Sequence, residues 1–236
     1  DSRVSRGLGD VYKRQRGGSK RIPRKNIKDF NGKPIIAYSI EAALASGCFD
    51  KVIVSTDDAE IAEVAEQYGA EVPFMRPADV SDDFATTADV LLHAIDWYEE
   101  QSQSIEYLCC IYATAPFIDV NDIRNTYKLL LESPSADYCF PVCEFPFPIQ
   151  RGVKLTQGQR VEMFQPEHFN TRSQDLEVGY HDVGQFYWGK PKAYRQKIPM
   201  FSDKAIAYPV SRKRVVDLDT PEDWEFALLL SQALKG

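Results

Sequence analysis

The densest group of residues able to do chemistry lies near the start of the chain, where two glycines stand among cations. Residues 16–26 read RGGSKRIPRKN, and residues 13–33 hold nine Lys or Arg residues against one acid, Asp29, in a chain of net charge -7. Glycines let backbone N–H groups close around phosphate oxygens, and cations neutralise the charge there. The segment predicts a phosphate-binding loop, with a solvated basic loop or a weak nucleic-acid patch as alternatives. It is not a Walker loop, because the Gly-Lys-Ser/Thr ending is missing.

A second candidate site is the carboxylate pair Asp217 and Asp219, in the run VVDLD at 215–219. This run predicts a strand, in which residues i and i+2 project from the same face. The pair would then lie at the carboxyl end of the strand, where open α/β sheets bind ligands. Two close carboxylates repel unless a cation lies between them, and oxygen ligands suit Mg²⁺ beside phosphates. We expect a magnesium site; the alternative is that one carboxylate supports a helix cap at Thr220.

Helices and strands that would position these residues alternate along the chain. Helical periodicity covers 34–46, 57–68, 86–100 and 120–132, and short apolar runs predict strands at 51–55, 71–74, 107–112 and 136–142. This alternation is typical of an α/β fold whose mostly parallel sheet is covered on both faces. The last helix has Thr220 as N-cap, Pro221 at its first position and Asp223 in the capping-box position.

Composition narrows the class of protein. A chain of 236 residues suits one domain, and no apolar run approaches the roughly 20 residues that span a bilayer. Five cysteines without CxxC spacing argue against disulfides or zinc and favour buried thiols in the cytoplasm. Positive charge confined to one stretch of an acidic chain argues against a nucleic-acid partner.

Two segments depart from this pattern. Residues 1–15 have neither a signal-peptide shape nor a strand pattern, and DVYKRQ at 10–15 resembles a translated transposon sequencing adapter. We therefore expect 1–15 to be a non-native scar and 16–236 to be the domain. Residues 143–165 contain FPFP and the turn QGQ, and they predict an antiparallel insertion that serves as an arm toward a second subunit.

Motifs spread over residues 16–234 resemble, in order, those of the acylneuraminate cytidylyltransferase family. They are RGGSK at 16–20, KN at 25–26, NGKP at 31–34, STD at 55–57, RPA at 76–78 and DLD at 217–219. The resemblance implies a three-layer, Rossmann-like nucleotidyltransferase fold and a homodimer. It also implies the reaction: a nonulosonic acid attacks the α-phosphate of CTP through its anomeric hydroxyl, in the presence of Mg²⁺, and pyrophosphate is released.

The same resemblance implies roles for individual residues. The triphosphate and the metal would be held by Arg16, Gly17, Gly18, Ser19, Lys20, Lys25, Asp217 and Asp219, of which Arg16, Lys20, Lys25 and the two aspartates would be catalytic. The cytosine and ribose would be surrounded by Asn26, Arg76, Thr87 and Asp83. The sugar acid would face Gln150, Arg172, Gln185 and Tyr187, with Arg172 paired to its carboxylate.

Other interpretations of these residues stay open at this point. Arg76, before a proline, is alternatively a surface cation, and Asp83 is alternatively a turn former or helix cap. Tyr187 and Trp188 are alternatively core aromatics. No histidine is expected to be the general base.

Three segments look most like the branch of the family that activates pseudaminic acid: YATAPF at 112–117, FPFPIQR at 145–151 and YHDVGQFYW at 180–188. Sialic-acid-activating relatives often have QPTSP in place of YATAP, and Lys where Gln150 stands, which disfavours N-acetylneuraminate. The alternatives are the same reaction on N-acetylneuraminate, legionaminate or a 3-deoxy-octulosonate, a non-catalytic nucleotide-binding module, or an inactive truncated protein.

Overall fold

The computed structural model of the chain describes residues 7–11, 21–81 and 85–235. Its helices are α1 (Ile35–Ser46), α2 (Ala59–Gln67), α3 (Thr87–Glu100), α4 (Val120–Leu131), α5 (Pro191–Arg195) and α6 (Pro221–Lys235). Its strands are β1 (Gly7–Val11), β2 (Asp29–Phe30), β3 (Lys33–Pro34), β4 (Phe49–Val54), β5 (Leu108–Ile111), β6 (Tyr138–Glu144), β7 (Val153–Leu155), β8 (Val161–Met163), β9 (Tyr180–Asp182), β10 (Phe186–Gly189) and β11 (Ala205–Pro209). The predicted helices agree closely with the observed ones.

One large sheet forms the centre, in the order β11-β6-β10-β5-β1-β4, with β9 paired to β6. Strands β1, β4, β5, β6 and β11 run in one direction, while β9 and β10 run against them. The sheet is therefore mixed, with most strands pointing the same way. The carboxyl ends of the five parallel strands meet at one edge, which we call the carboxyl edge, and β10 begins at that edge.

Apolar residues on the two faces of the sheet belong to two separate core clusters. Val54 and Trp188 pack with helices α1 and α4 on one face, whereas their chain neighbours Ile53 and Tyr187 pack with α3 and α5 on the other. This alternation is expected of strands buried on both faces, and it produces three layers. A third cluster joins α6 to the turn after residue 21, and Leu218 lies in it.

Two predicted strands differ from the structure. Residues 71–74 form only an isolated bridge between Glu71 and Ile53, since Pro73 cannot donate to a ladder. Residues 215–219 were predicted to be a strand, and this is wrong: they join none of the strands in the described part of the chain. A run of valines makes a strand only where a partner edge is open, because strand preference depends on context.

The start of the chain also differs from expectation. Residues 1–15 were expected to have no strand, yet Gly7–Val11 lies between β4 and β5 and pairs in parallel with both. Every residue except proline has a backbone N–H and C=O that can join the hydrogen bonds of a sheet, whatever its side chain is. A polar sequence therefore did not prevent the pairing. Asp10 stands in register with Ile53 and Cys110, which are both buried. The non-native origin of this segment stays a prediction.

Three further features are the β7–β8 pair, the cysteines and the apolar length of the helices. Strands β7 and β8 pair antiparallel in the segment predicted as an insertion, and β6 continues to Glu144, two residues into that segment. All five cysteines are buried free thiols. Within the described ranges, we find no helix long and apolar enough to cross a membrane.

Candidate active site

The carboxyl edge of the sheet gathers most of the predicted site residues that the structure describes. Asp57 follows β4, Tyr112 follows β5, and Gln185 immediately precedes β10. The turn at Lys25 and the segment 215–219 come to the same edge. Six predicted site residues lie outside the described part of the chain: Arg16, Gly17, Gly18, Ser19, Lys20 and Asp83.

Lys25 connects the basic segment to the aspartate pair. Its side chain is 7% exposed, and its ammonium donates to the Leu218 carbonyl and lies 3.3 Å from Asp219 Oδ1. Leu218 is itself buried, whereas Asp217 and Asp219 are exposed. Exposed and buried side chains thus alternate over 217–219, so both carboxylates face solvent although the segment is not a strand. Asp219 thus has a basic partner that comes from the other end of the chain.

Arg24 ties the same turn to helix α2. It adopts left-handed backbone angles, φ 49° and ψ 37°, which are unfavourable for a residue with a Cβ and recur at functional sites. Its guanidinium donates to both carboxylate oxygens of Asp58, at 3.1 and 3.2 Å. Asp58 is also the N-cap of α2 and accepts from two backbone N–H groups. The turn therefore has a fixed position beside β4.

Asn26 and Arg76 are both buried, in keeping with a role inside a cleft. Asn26 Oδ1 has no hydrogen-bond partner among the described residues, which is costly for a buried acceptor unless a ligand supplies a donor. Arg76 donates to Ser81 Oγ at 3.0 Å and to Asp57 Oδ1 at 3.3 Å. The alternative that Arg76 is a surface cation is wrong, because its side chain is 2% exposed.

A chain of hydroxyl groups runs across the sheet from helix α3 to β9. The Tyr187 hydroxyl donates to Asp182 Oδ2 at 2.5 Å, and the Tyr112 and Tyr187 rings lie 5.5 Å apart. Burial raises the pKa of Tyr112 to about 12, and hydrogen bonding with Thr87 and Tyr187 opposes this rise more weakly. Burial and the Asp182 carboxylate raise the pKa of Tyr187 far above its ordinary value. These tyrosines stay protonated and act as hydrogen-bond donors.

Gln185 is buried, and its amide nitrogen donates to the Arg214 carbonyl at 2.7 Å. The guanidinium of Arg214 pairs with Asp119 at 3.2 Å and with Asp122 at 2.9 Å. Burial raises the pKa of Asp122 despite the opposing charge of Arg214. These contacts hold the chain just before the segment 215–219.

Gln150 and Arg172 lie in the part of the chain between β6 and β9. Gln150 is buried and donates to the Glu177 carbonyl at 3.0 Å. A cavity of about 110 Å³ lies nearby, lined by residues 144–148, 173 and 176–179. Arg172 is 71% exposed and pairs with Asp175, so its guanidinium faces solvent. The structure does not bring Arg172 against the other site residues through any described contact.

Several contributing residues were not singled out by sequence reasoning. Asp182 and Arg214 hold the predicted site residues Tyr187 and Gln185, and Asp58 holds Arg24, the neighbour of Lys25. Asp182 lies within the motif YHDVGQFYW, but the spacing to Tyr187 does not indicate that the two meet across a turn. The signal available for Asp58 was its place before a helix, where Asp is a favoured N-cap.

The donor set at Asp217 and Asp219 fits a magnesium ion in type and in charge. Within the described ranges, no group of three or more His, Cys, Asp or Glu side chains forms a complete metal cluster. Mg²⁺ commonly takes one or two carboxylates and completes its shell with water and substrate phosphates. Two exposed carboxylates, one of them beside Lys25, match that pattern.

Comparisons with known proteins identify the family of the chain. The family profile described as "Cytidylyltransferase" matches residues 14–233. The chain belongs to the cytidylyltransferase family. It is therefore a nucleotidyltransferase enzyme, and the resemblance seen in its motifs is confirmed.

Among curated relatives, this cytidylyltransferase is 46% identical over 215 residues to the "Pseudaminic acid cytidylyltransferase" of Campylobacter jejuni, covering 91% of this chain and 92% of that one. It is 31% identical to the "CMP-N,N'-diacetyllegionaminic acid synthase" of Legionella pneumophila, covering 89% and 90%. An "N-acylneuraminate cytidylyltransferase" of Escherichia coli is 29% identical, and the match spans half of that protein.

Solved structures support the fold. A CMP:2-keto-3-deoxy-manno-octonic acid synthetase complexed with CTP has a TM-score of 0.70 at 17% identity, covering 98% of this chain and 100% of that one. A 4-diphosphocytidyl-2C-methyl-D-erythritol synthase from Anaerococcus prevotii has a TM-score of 0.64 at 12% identity, covering 96% and 99%. The predicted α/β nucleotidyltransferase fold is confirmed.

Proposed function

We propose that the chain transfers CMP from CTP to the anomeric hydroxyl of pseudaminic acid. The hydroxyl oxygen forms a bond to the α-phosphorus, and the bond from that phosphorus to the oxygen bridging to the β-phosphate breaks. Pyrophosphate leaves, and the hydroxyl proton passes to solvent. Such a displacement depends on charge neutralisation and positioning more than on covalent help from the protein.

The observation that carries this proposal is the contact of Lys25 with Leu218 and Asp219. It places Lys25, which ends the basic run where we assign the triphosphate, against Asp219. In this assignment Arg16, Ser19 and Lys20 bind the phosphates. Asn26, Arg76 and Thr87 surround the cytosine and ribose, with Asp83 nearby, and the unpartnered Asn26 Oδ1 accepts from a nucleotide donor.

We assign Mg²⁺ to Asp217 and Asp219, because these carboxylates are exposed at the same edge. A divalent ion there would screen the phosphate charge and favour the ionised form of the sugar hydroxyl. Lys25 would hold Asp219 in place and add a positive charge beside the phosphates.

We assign the sugar acid to the region of Tyr187 and Gln150, with Arg172 pairing its carboxylate. Pseudaminic acid is favoured over other nonulosonic acids by the 46% identity to the Campylobacter protein, against 31% for the Legionella one. The second candidates, on that lower similarity, are legionaminic acid, N-acetylneuraminic acid and a 3-deoxy-octulosonate.

The test is pyrophosphate release from CTP and Mg²⁺ with each nonulosonic acid in turn, followed by the same assay with UTP, ATP and GTP. We expect CTP with pseudaminic acid to give the highest kcat/KM by at least about tenfold, because a site that hydrogen-bonds one base rejects others. Equal rates with UTP would overturn the roles of Asn26, Arg76 and Thr87. If none of the acids supports pyrophosphate release, the chain is only a nucleotide-binding protein or a truncated, inactive one.

We further propose that the enzyme is a homodimer in the cytoplasm. An isolated two-stranded hairpin is marginally stable, and the β7–β8 pair carries exposed apolar residues such as Leu155 at 74% and Val161 at 68% exposure. A second subunit would cover them. Free buried thiols suit a reducing compartment. Sedimentation equilibrium tests the dimer, and Leu155→Lys should shift it to monomer.

A further inference from the structure

The segment 215–219 carries both aspartates but has no strand partner among the described residues. In a paired strand, the ladder would fix the position of each carboxylate. Here other contacts have to do so. Leu218 is buried in the cluster around α6, Val216 packs against that cluster, and Lys25 binds the end of the segment. Arg214, the residue that precedes the segment, has contacts of its own.

Gln185 holds the backbone of Arg214. Its side-chain nitrogen donates to the Arg214 carbonyl at 2.7 Å, and the residue is 4% exposed. Its own backbone carbonyl accepts from Tyr112 N at 2.8 Å, which fixes Gln185 to the end of the central strand β5. A single buried side chain therefore links the sheet to the residue that precedes the segment.

The side chain of Arg214 is held independently by helix α4. Its guanidinium pairs with Asp119 and Asp122, and Asp119 also caps α4 by accepting from Asn121 N at 2.8 Å. Without the bond from Gln185, the side chain would stay anchored while the backbone gained freedom. The effect of losing that bond would therefore fall on the segment that follows.

We propose that Gln185 is a positioning residue for the metal-binding segment and not a contact of the sugar acid. This rests on the proposed function, in which Asp217 and Asp219 bind Mg²⁺. Gln185 acts through the Arg214 carbonyl: it fixes the position of the residue before the segment, and Lys25 fixes the position of the end of the segment. The amide nitrogen that would otherwise reach the sugar is occupied by this bond.

The experiment replaces Gln185 with Met, which has similar length and volume but no donor. In Gln185→Met we expect about tenfold faster hydrogen exchange in residues 211–219 of the ligand-free protein, as expected when one buried hydrogen bond is lost. In the presence of CTP, the Kd for Mn²⁺ from the spin-resonance signal of free Mn²⁺ should rise about five- to tenfold. The KM for the sugar acid should stay unchanged.

The control is Ser46→Ala, which removes a buried hydroxyl at the end of α1. That hydroxyl donates to the Ala43 carbonyl at 2.6 Å and accepts from Cys48 N at 3.2 Å. This variant should leave Mn²⁺ binding and exchange in 211–219 as in the wild type. A raised KM for the sugar acid with unchanged Mn²⁺ binding in Gln185→Met would overturn the proposal in favour of sugar contact.

Failure of the proposed function has a different signature. If Asp217→Asn and Asp219→Asn leave Mn²⁺ binding intact, the metal assignment fails. Unchanged exchange in Gln185→Met overturns the positioning role whatever the aspartates bind.

Discussion

Lys25→Met tests whether this lysine organises the site before any nucleotide arrives. Met retains the apolar stem, so the change removes the ammonium without opening a large cavity. A hydrogen bond from a charged donor to a buried carbonyl is worth about 1.5–3 kcal/mol. The pair with Asp219, whose side chain is 60% exposed, adds less than about 1 kcal/mol. For a chain of this length, the Tm of the ligand-free protein should fall by roughly 5–10 °C.

Scanning calorimetry without nucleotide measures that fall, and titration calorimetry with CTP measures the change in Kd. Lys28→Met is the control, because Lys28 lies in the same basic stretch but only covers the Trp224 ring, with Nζ 4.5 Å from its centroid. The control should lose less than about 1 kcal/mol. If Lys25→Met melts like this control and loses only CTP affinity, Lys25 serves the phosphates alone and does not hold the aspartate segment.

The remaining predictions concern the metal, the phosphates, the central strand and pH. Asp217→Asn and Asp219→Asn should each lower kcat by roughly a thousandfold with little change in Tm, because charge stabilisation worth several kcal/mol is lost; normal rates at saturating Mg²⁺ would make both residues structural. Lys20→Ala should weaken CTP binding far more than sugar-acid binding, and the reverse pattern in calorimetry would move the anion site. Asp10→Val should raise Tm and CTP-dependent activity together, since the register partners in β4 and β5 are buried; if neither changes, this position does not need an apolar residue. Hydrogen bonds from the Thr220 hydroxyl and backbone lower the pKa of Asp223 in the folded protein below its ordinary value of 3.8. The ionised carboxylate therefore stabilises the fold above pH 3.8, and this stabilisation is lost as pH falls through the lower pKa of the folded state. Wild-type Tm should therefore decline more steeply in acid than that of Asp223→Asn, and parallel curves would contradict this.

Local signals predicted the helices well because their ends are specified by neighbouring residues. Thr220 and Asp223 form the predicted capping box, with the Thr220 hydroxyl accepting from Asp223 N at 3.2 Å and donating to Asp223 Oδ2 at 2.8 Å. Thr86 and Asp89 make the same arrangement at α3. These contacts span three residues, so they are visible in the sequence.

Features that depend on distant parts of the chain were not predictable in the same way. The run at 215–219 has a strand pattern, but it joins no sheet in the described part of the chain. Arg76 precedes a proline, which suggests a loop, whereas its burial follows from Asp57, nineteen residues earlier. Gln185 meets Arg214 across 29 residues through a backbone carbonyl, and a carbonyl carries no signal in the sequence. The sequence therefore singled out Lys25 and Asp219, which the fold brings together, while the contacts of Arg76 and Gln185 could not be predicted from it.

The packing of Trp224 gives the enzyme an optical signal of its own. Its ring meets Phe30 edge-on at 5.5 Å, under the ammonium of Lys28 and one turn of helix beyond the aspartates. Indole emission depends on nearby charge, so a ligand that shifts the basic turn should change the emission wavelength of Trp224. Trp188, stacked between Phe49 and Tyr127 in the core, offers a steady reference. Substrate arrival can thus be followed in stopped flow without attaching a dye.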